Sequence, residues 1–204
     1  MPDEDEAWIT PSSIERLSGE ERFTGLEASV REFWRFALGD PRMNNARGYL
    51  AEFLVARALA ISNPQRIEWA EYDVLLDDIR IEVKSSAYLQ AWEQRHLSRI
   101  TFSGLKGTPY NPRSGYDPAG RQYNAEVYVF GVQTALTHDA YDPLDVSQWE
   151  WYVLPRSVLA HLGQATISLT TLRAHTHQVE LQTLEVAVRA AASADREPPS
   201  PHPS

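Results

Sequence analysis

The chain has no cysteine, and this absence removes a whole group of mechanisms. Without thiols there can be no disulfide, no thiolate metal site and no cysteine nucleophile, so zinc fingers and cysteine hydrolases are excluded. Lysine is also scarce, because Lys84 and Lys106 are the only two and every other cation is an arginine. No apolar run approaches about 18 residues and the N-terminus is acidic, so we expect no membrane span and no signal peptide, and a cytoplasmic location is the default.

The residues that are present suffice for one packed domain, since 43 % of the 204 residues are hydrophobic. The net charge of −9 argues against a nucleic-acid partner, because Lys and Arg supply most of the affinity for phosphate. The charge is unevenly distributed, however. Residues 42–121 carry eleven Lys or Arg against nine Asp or Glu, while both flanks are strongly acidic. A nucleic-acid partner therefore stays possible for the central segment.

Periodicity and turn residues predict one domain over residues 25–192, with a flexible acidic lead over 1–24 and a disordered tail over 193–204. The predicted helices cover residues 26–38, 46–61, 155–162, 168–174 and 181–192. The predicted strands cover residues 66–70, 73–77, 79–86, 100–105, 126–133 and 150–154. The helix over 46–61 is apolar nearly all round, which predicts that it is largely buried.

The most informative pattern is the placement of Asp73 nine residues before Glu82, with Lys84 two residues further on. Apolar and polar residues alternate over 79–84, so Glu82 and Lys84 share one face of a strand, with Cα atoms roughly 6.5 to 7 Å apart. Two aspartates at 77–78 predict a tight turn, because short carboxylate side chains tolerate turn geometry. A hairpin folded there would bring Asp73 beside the other two residues.

The spacing of Asp73, Glu82 and Lys84 resembles the motif of the PD-(D/E)XK nuclease superfamily, which has the restriction-endonuclease-like fold. Members commonly carry a glutamate on the helix before the first core strand, and Glu52 stands at that place here. The motif's usual proline before the first aspartate is replaced by Tyr72. The resemblance covers about residues 47–88, which is under half of the chain.

This resemblance implies an α/β domain in which helices flank a central mixed β-sheet, with the order α-β-β-β at its core. It further implies a metal-dependent nuclease that hydrolyses phosphodiester bonds in DNA, with RNA as a second substrate class. Glu52, Asp73 and Glu82 would bind Mg²⁺, with Mn²⁺ as a substitute, and Lys84 would assist the attacking nucleophile. All four would be catalytic residues. A homodimer is compatible with this function, because double-strand cleavage by such folds commonly uses two sites.

Each assignment has an alternative. Asp73 could be a surface acid beside a turn, and Glu82 with Lys84 could form the solvated face of an edge strand. Glu52 is unfavourable on an apolar helix unless it is paired, and an ion pair with Arg57 would satisfy it. For the whole protein, the alternatives are a catalytically inactive nuclease-fold module that binds nucleic acid or a protein partner, and an unrelated α/β interaction protein.

Two further segments have candidate roles. Residues 107–124 are too rich in Gly, Pro and Asn to predict regular structure, and they are either a mobile surface loop or a segment that contacts phosphates and stacks on bases. That second role would use the tyrosines and arginines of the segment, which are Tyr110, Arg113, Tyr116, Arg121 and Tyr123. Gln90 and Gln94 follow the motif strand and could lie near the site, although a plain surface position is the simpler alternative for both.

Overall fold

A computed structural model of the chain describes residues 9, 15–62, 64, 66 and 70–196. The chain divides into two compact units, Met1–Gly39 and Asp40–Ser204, whereas the sequence predicts one domain that begins at residue 25. Most of the predicted lead and residues 197–204 of the predicted tail lie outside the described residues. The last helix continues to Arg196, so residues 193–196 are helical rather than part of a disordered tail.

In the part of the chain that the structure describes, the α-helices are α1 (Val30–Leu38), α2 (Asn44–Ala58), α3 (Arg156–Leu162), α4 (Leu169–His175) and α5 (Leu184–Arg196). The strands there are β1 (Val74–Leu76), β2 (Ile79–Ala87), β3 (Thr101–Phe102), β4 (Tyr110–Asn111), β5 (Gly115–Tyr116), β6 (Val127–Gln133), β7 (Trp149–Pro155), β8 (Ile167–Ser168) and β9 (Gln178–Val179). In the described part of the chain, no helix is both long and apolar enough to cross a membrane.

The first unit contains α1, which begins with a reciprocal hydrogen-bonded cap. The Ser29 hydroxyl accepts a hydrogen bond from the Glu32 amide at 3.3 Å, and the Glu32 carboxylate accepts one from the Ser29 amide at 2.7 Å. This pair satisfies two backbone donors that would otherwise lack partners at the helix start. The rings of Phe23 and Phe33 meet edge to face, with centroids 6.5 Å apart.

The second unit is built on a mixed five-stranded sheet with the strand order β1-β2-β6-β7-β9. β2 pairs with β6 in parallel, and the other neighbouring pairs are antiparallel. The expected α/β class with a central mixed sheet is confirmed. The strands predicted over 126–133 and 150–154 form β6 and β7 and pair with each other, as expected. Of the strand predicted over 66–70, residues 67–69 lie outside the described residues.

The connection from β2 to its parallel neighbour β6 runs over residues 88–126, and it contains no helix although every one of its residues is described. Parallel neighbours are usually joined by a crossover helix, so this connection is unusual. It consists of loops, the short strand β3, which pairs with β8, and the hairpin of β4 and β5. The strand predicted over 100–105 is therefore limited to Thr101–Phe102.

The sheet has an apolar core on each face. On one face the alternate residues Ile81 and Val83 of β2 pack with α2 and α5, and on the other face Phe102 and Phe130 pack beneath α3 and α4. Each such side chain, fully buried, contributes about 1.5 to 3 kcal/mol. β6 is buried on both faces along its whole length, which makes it the centre of the unit.

The prediction that α2 is buried nearly all round is wrong. Ala51 and Val55 are fully buried, but Phe53 is 54 % exposed and Tyr49 is 39 % exposed. α2 packs on the sheet by one face only, and its apolar composition does not reveal which residues lie on that face.

Candidate functional site

The β1–β2 hairpin holds Asp73 against the strand that carries Glu82 and Lys84, as the sequence predicts. The turn passes through Asp77 with φ at 54°, a left-handed conformation that a short carboxylate residue tolerates. The Asp73 carboxylate accepts a hydrogen bond from the Val83 amide at 2.8 Å. The Asp73 amide in turn donates to the Ile81 carbonyl at 3.0 Å. Both bonds fix Asp73 to the middle of β2, so it is not a free surface acid.

Glu82 and Lys84 form an ion pair along one face of β2. Lys84 Nζ lies 2.5 Å from Glu82 Oε1, and the side chains are only 24 % and 19 % exposed. β2 lies between β1 and β6 in the sheet, so these residues do not stand on an edge strand. The alternative of a solvated edge face is therefore wrong.

Glu52 faces the hairpin from α2. Its side chain is 15 % exposed, and its carboxylate accepts a hydrogen bond from Arg66 Nε at 3.0 Å. Arg66 also lies over the Tyr49 ring, 4.6 Å from its centroid. The ion-pair partner is thus Arg66 rather than the predicted Arg57. Glu52 and Asp73 line the same cavity of about 170 Å³, so helix and hairpin present their acids to one space.

Burial raises the pKa of all three carboxyls, and the charge of Asp73 adds to the rise for Glu52 and Glu82. The pKa of Glu52 rises to about 7, first because of burial and next because of the charge of Asp73, while Arg66 opposes the shift. Burial likewise raises the pKa of Asp73, against the hydrogen bond from Val83. The pKa of Glu82 is raised by burial and then by Asp73, with Lys84 opposing. We call Glu52, Asp73 and Glu82 the carboxylate cluster, since the charge of Asp73 acts on both glutamates.

The donor set of this cluster suits a hard divalent cation, because all of its ligand atoms would be carboxylate oxygens. The arrangement is not a closed coordination sphere, however. Within the described ranges, no three acidic or histidine side chains are grouped so that they could hold a metal ion. Glu52 and Glu82 are directed to Arg66 and Lys84 instead. A bound cation would have to compete with these two protein cations, and the metal site remains a prediction.

The residues that surround Glu82 were not predicted as part of the site. Glu82 lies opposite Tyr128 in the parallel register of β2 and β6, and both line a cavity of about 210 Å³. The Tyr128 hydroxyl donates to the Leu105 carbonyl at 3.2 Å. Burial raises the pKa of Tyr128, and the charge of Glu82 adds to the shift. Only the strand register reveals this pairing, and the sequence of β6 on its own predicts no more than a core strand.

Lys84 is approached by the loop that follows β3. Gly104 has φ at +70°, and a Cβ built on it would lie 3.8 Å from Lys84 Nζ. The loop backbone can therefore pass near the lysine without a side chain filling the space.

Gln90 and Gln94 shape the loop after β2 instead of lying on the surface or among the acids. Gln90 is 7 % exposed, and its amide donates to the Ala87 carbonyl at 3.0 Å and to Ser98 Oγ at 3.1 Å. The Gln94 side-chain amide donates to the same Ser98 hydroxyl at 3.0 Å, and its oxygen accepts a hydrogen bond from the backbone N–H of Gln90 at 2.8 Å. The prediction of a plain surface position is wrong for Gln90, because a polar amide can satisfy backbone groups inside a loop.

The hairpin, α2 and the cavity walls provide the chemical groups of the site, and the charges of these groups determine what the site would bind. No family model, no curated protein and no solved structure matches the chain.

Proposed function

We propose that this protein is a nuclease that requires a divalent metal ion and hydrolyses phosphodiester bonds, with DNA as the first substrate to test. The observation that carries the proposal is the carboxylate cluster, in which three half-buried acids from a helix and a hairpin lie together beside Lys84. Acids crowded in this way hold either protons or a cation. A metal ion bound by Glu82 would also release Lys84 from its ion pair, so that the lysine could act on the substrate.

The roles of the residues follow from their positions. Asp73 and Glu82 would hold Mg²⁺, and Glu52 would complete the ligand set from α2. The ion, when bound, would activate water and neutralise charge that develops on the phosphate. Lys84 would hold the attacking oxygen in place with its ammonium donors and favour its ionised form. The Val83 amide keeps Asp73 oriented throughout, because it donates to Asp73 Oδ2.

The finer fold that we propose is restriction-endonuclease-like. The order of α2, β1 and β2 supports it, as does the parallel pairing of β2 with the later strand β6. One departure weakens the match, since residues 88–126 contain no helix where a crossover helix would be expected.

The test is cleavage of linear, nicked, branched and single-stranded DNA, and of RNA, in Mg²⁺ or Mn²⁺ by the wild type and by Lys84→Ala. Cleavage should fall by at least about 100-fold in the variant, because the group that positions the nucleophile is gone. Arg95→Ala, which removes an exposed cation from the loop after β2, should cleave like the wild type. Circular dichroism checks that Lys84→Ala is folded. Full activity in a folded Lys84→Ala protein would refute the assignment.

A second candidate function is a nuclease-fold module that binds nucleic acid or a protein partner without cutting. The ion pairs that already occupy Glu52 and Glu82 favour it, as does the net charge of −9. Such a module would bind its partner equally well with a chelator present. Melting with and without Mn²⁺ separates the two, since only the metal-dependent enzyme should be stabilised by the ion and lose that response in Asp73→Ala.

A further inference from the structure

The cavity beside Glu82 is walled by a hairpin that carries two tyrosines. Tyr110 on β4 and Tyr116 on β5 lie directly opposite each other, with ring centroids 5.1 Å apart and planes tilted by 57°. Both line the cavity of about 210 Å³, and they are 43 % and 63 % exposed. We call residues 110–116 the tyrosine hairpin. It lies inside the segment 107–124, for which the sequence predicts no regular structure.

The tyrosine hairpin is held by specific hydrogen bonds. Two hydrogen bonds to Asn111 close its loop. The Ser114 backbone N–H donates to the Asn111 carbonyl at 3.2 Å, and the Arg113 backbone N–H donates to Asn111 Oδ1 at 2.8 Å. Gly115 follows with φ at +78°, so the loop is the three-residue hairpin type that ends in a left-handed glycine.

Two further contacts fasten the base of the hairpin. The Asp117 amide donates to the Pro109 carbonyl at 2.9 Å, and Gly107 pairs with Gln122 through two backbone hydrogen bonds of 2.9 and 3.0 Å. These hydrogen bonds hold the backbone that carries the two rings. Little conformational entropy would therefore be lost when a flat group stacks on the rings.

The charges around the cavity exclude an anion and accept a neutral ring. Glu71 and Glu82 both line it, so a phosphate placed there would face two carboxylates. The two carboxylates are acceptors, and they suit a planar group with N–H donors at its edge, which is the character of a nucleobase.

The size of the cavity suits one such group. Its volume of about 210 Å³ lies below the roughly 300 to 1,000 Å³ of pockets that bind drug-sized ligands, so it accommodates one ring-sized group. Since Glu82 belongs to both the cavity and the carboxylate cluster, a base held here would be attached close to the phosphate at the cluster.

We propose that the tyrosine hairpin binds one unpaired nucleobase of the substrate, so that this protein acts on single-stranded nucleic acid or on a strand with a base turned out of the stack. This inference rests on the proposed nuclease function, because it names the substrate class of the same site. Tyr116 provides the stacking face, Tyr110 supports it, and the carboxylates of Glu71 and Glu82 accept hydrogen bonds from the base edge.

The test measures binding of fluorescein-labelled oligonucleotides to the full-length protein by anisotropy, in a chelator so that nothing is cut. The probes are a single strand, the same strand in a duplex, and the same strand with abasic sites. Tyr116→Ala should weaken binding of the single strand about five- to 100-fold, which is the range for loss of one base–aromatic stack. Tyr116→Phe keeps the ring and should bind like the wild type. Trp92→Ala, which removes another exposed aromatic that does not line the cavity, should also bind like the wild type.

The abasic strand should bind weakly and with no dependence on Tyr116, because it keeps the phosphates and lacks the ring. Equal binding of the single strand by wild type and Tyr116→Ala, or an equal loss with the abasic strand, would overturn the inference. Cleavage in Mn²⁺ is scored separately. If the protein cleaves DNA but its binding does not depend on Tyr116, the base site is overturned and the nuclease function is supported. If binding depends on Tyr116 but nothing is cleaved, the base site is supported and the nuclease function is refuted.

Discussion

Glu52→Gln should make the metal-free protein more stable at alkaline pH, although it removes an ion pair. The pKa of Glu52 is about 7 in the folded protein against an ordinary value of 4.5, and burial is the main cause. As the pH rises, the unfolded chain releases this proton first. The folded protein therefore loses stability between about pH 4.5 and about pH 7 and carries the full penalty above that range.

The size of the effect follows from the same two values. At about 1.4 kcal/mol for each tenfold change in proton affinity, the difference between 4.5 and about 7 corresponds to roughly 3 kcal/mol at about pH 8. Because the interaction with Arg66 already lowers this pKa, the roughly 3 kcal/mol includes the loss of that ion pair. We expect a gain of about 2 to 3 kcal/mol at about pH 8 and almost none at about pH 4.5.

Urea unfolding of both proteins at several pH values, in a chelator, measures this difference. Glu93→Gln, a change at an exposed glutamate in the loop after β2, is the matched control and should alter the free energy of unfolding by less than about 0.5 kcal/mol at every pH. The reasoning fails if the difference between wild type and Glu52→Gln does not vary with pH, or if the variant is the less stable protein at about pH 8.

Three further substitutions test other parts of the structure. Asp73→Asn should keep the fold, since an amide oxygen can still accept from the Val83 amide, but it should abolish the rise in melting temperature caused by Mn²⁺. Gly131→Ala should destabilise the protein by about 1 to 3 kcal/mol in urea, because the new Cβ would lie 2.7 Å from the Trp151 ring; an unchanged unfolding midpoint would contradict that packing. Asp195→Ala should cost about 1 to 2 kcal/mol in the same assay, since its carboxylate caps the first turn of α3 with a 2.7 Å hydrogen bond, and a smaller loss than about 0.5 kcal/mol would argue against the cap.

Local patterns predicted the local part of the site. The alternation over residues 79–84 and the turn at 77–78 identified the hairpin, and with it the proximity of Asp73 to Glu82 and Lys84. Glu52 is identified by the resemblance to the nuclease superfamily, whose members commonly carry a glutamate on the helix before the first core strand, and a carboxylate is also out of place on an apolar helix. These inferences need only residues that are neighbours along the chain or within one element.

Contacts between distant segments were missed. The pairing of Glu52 with Arg66 spans 14 residues and depends on how the loop after α2 runs. The position of Tyr128 opposite Glu82 depends on the register of a parallel pair that spans more than 40 residues of sequence. The tyrosine hairpin could have been recognised, since Asn111 and Gly115 enclose a three-residue loop with residues typical of turns. The high content of Gly and Pro in residues 107–124 instead led to the prediction that this segment has no regular structure.

The helix-free connection between β2 and β6 has a consequence for how this protein could change. Asp73, Glu82 and Lys84 are brought together by a hairpin with a two-residue turn, a structure that forms in microseconds from adjacent residues. The connection contributes none of them, and doubling the length of a flexible loop costs only about 0.6 kcal/mol. The exposed parts of residues 88–126 can therefore lengthen, shorten or exchange sequence while the acids and the lysine keep their places, provided that core residues such as Phe102 are kept. Selection for a new substrate could thus change this connection without changing Asp73, Glu82 or Lys84.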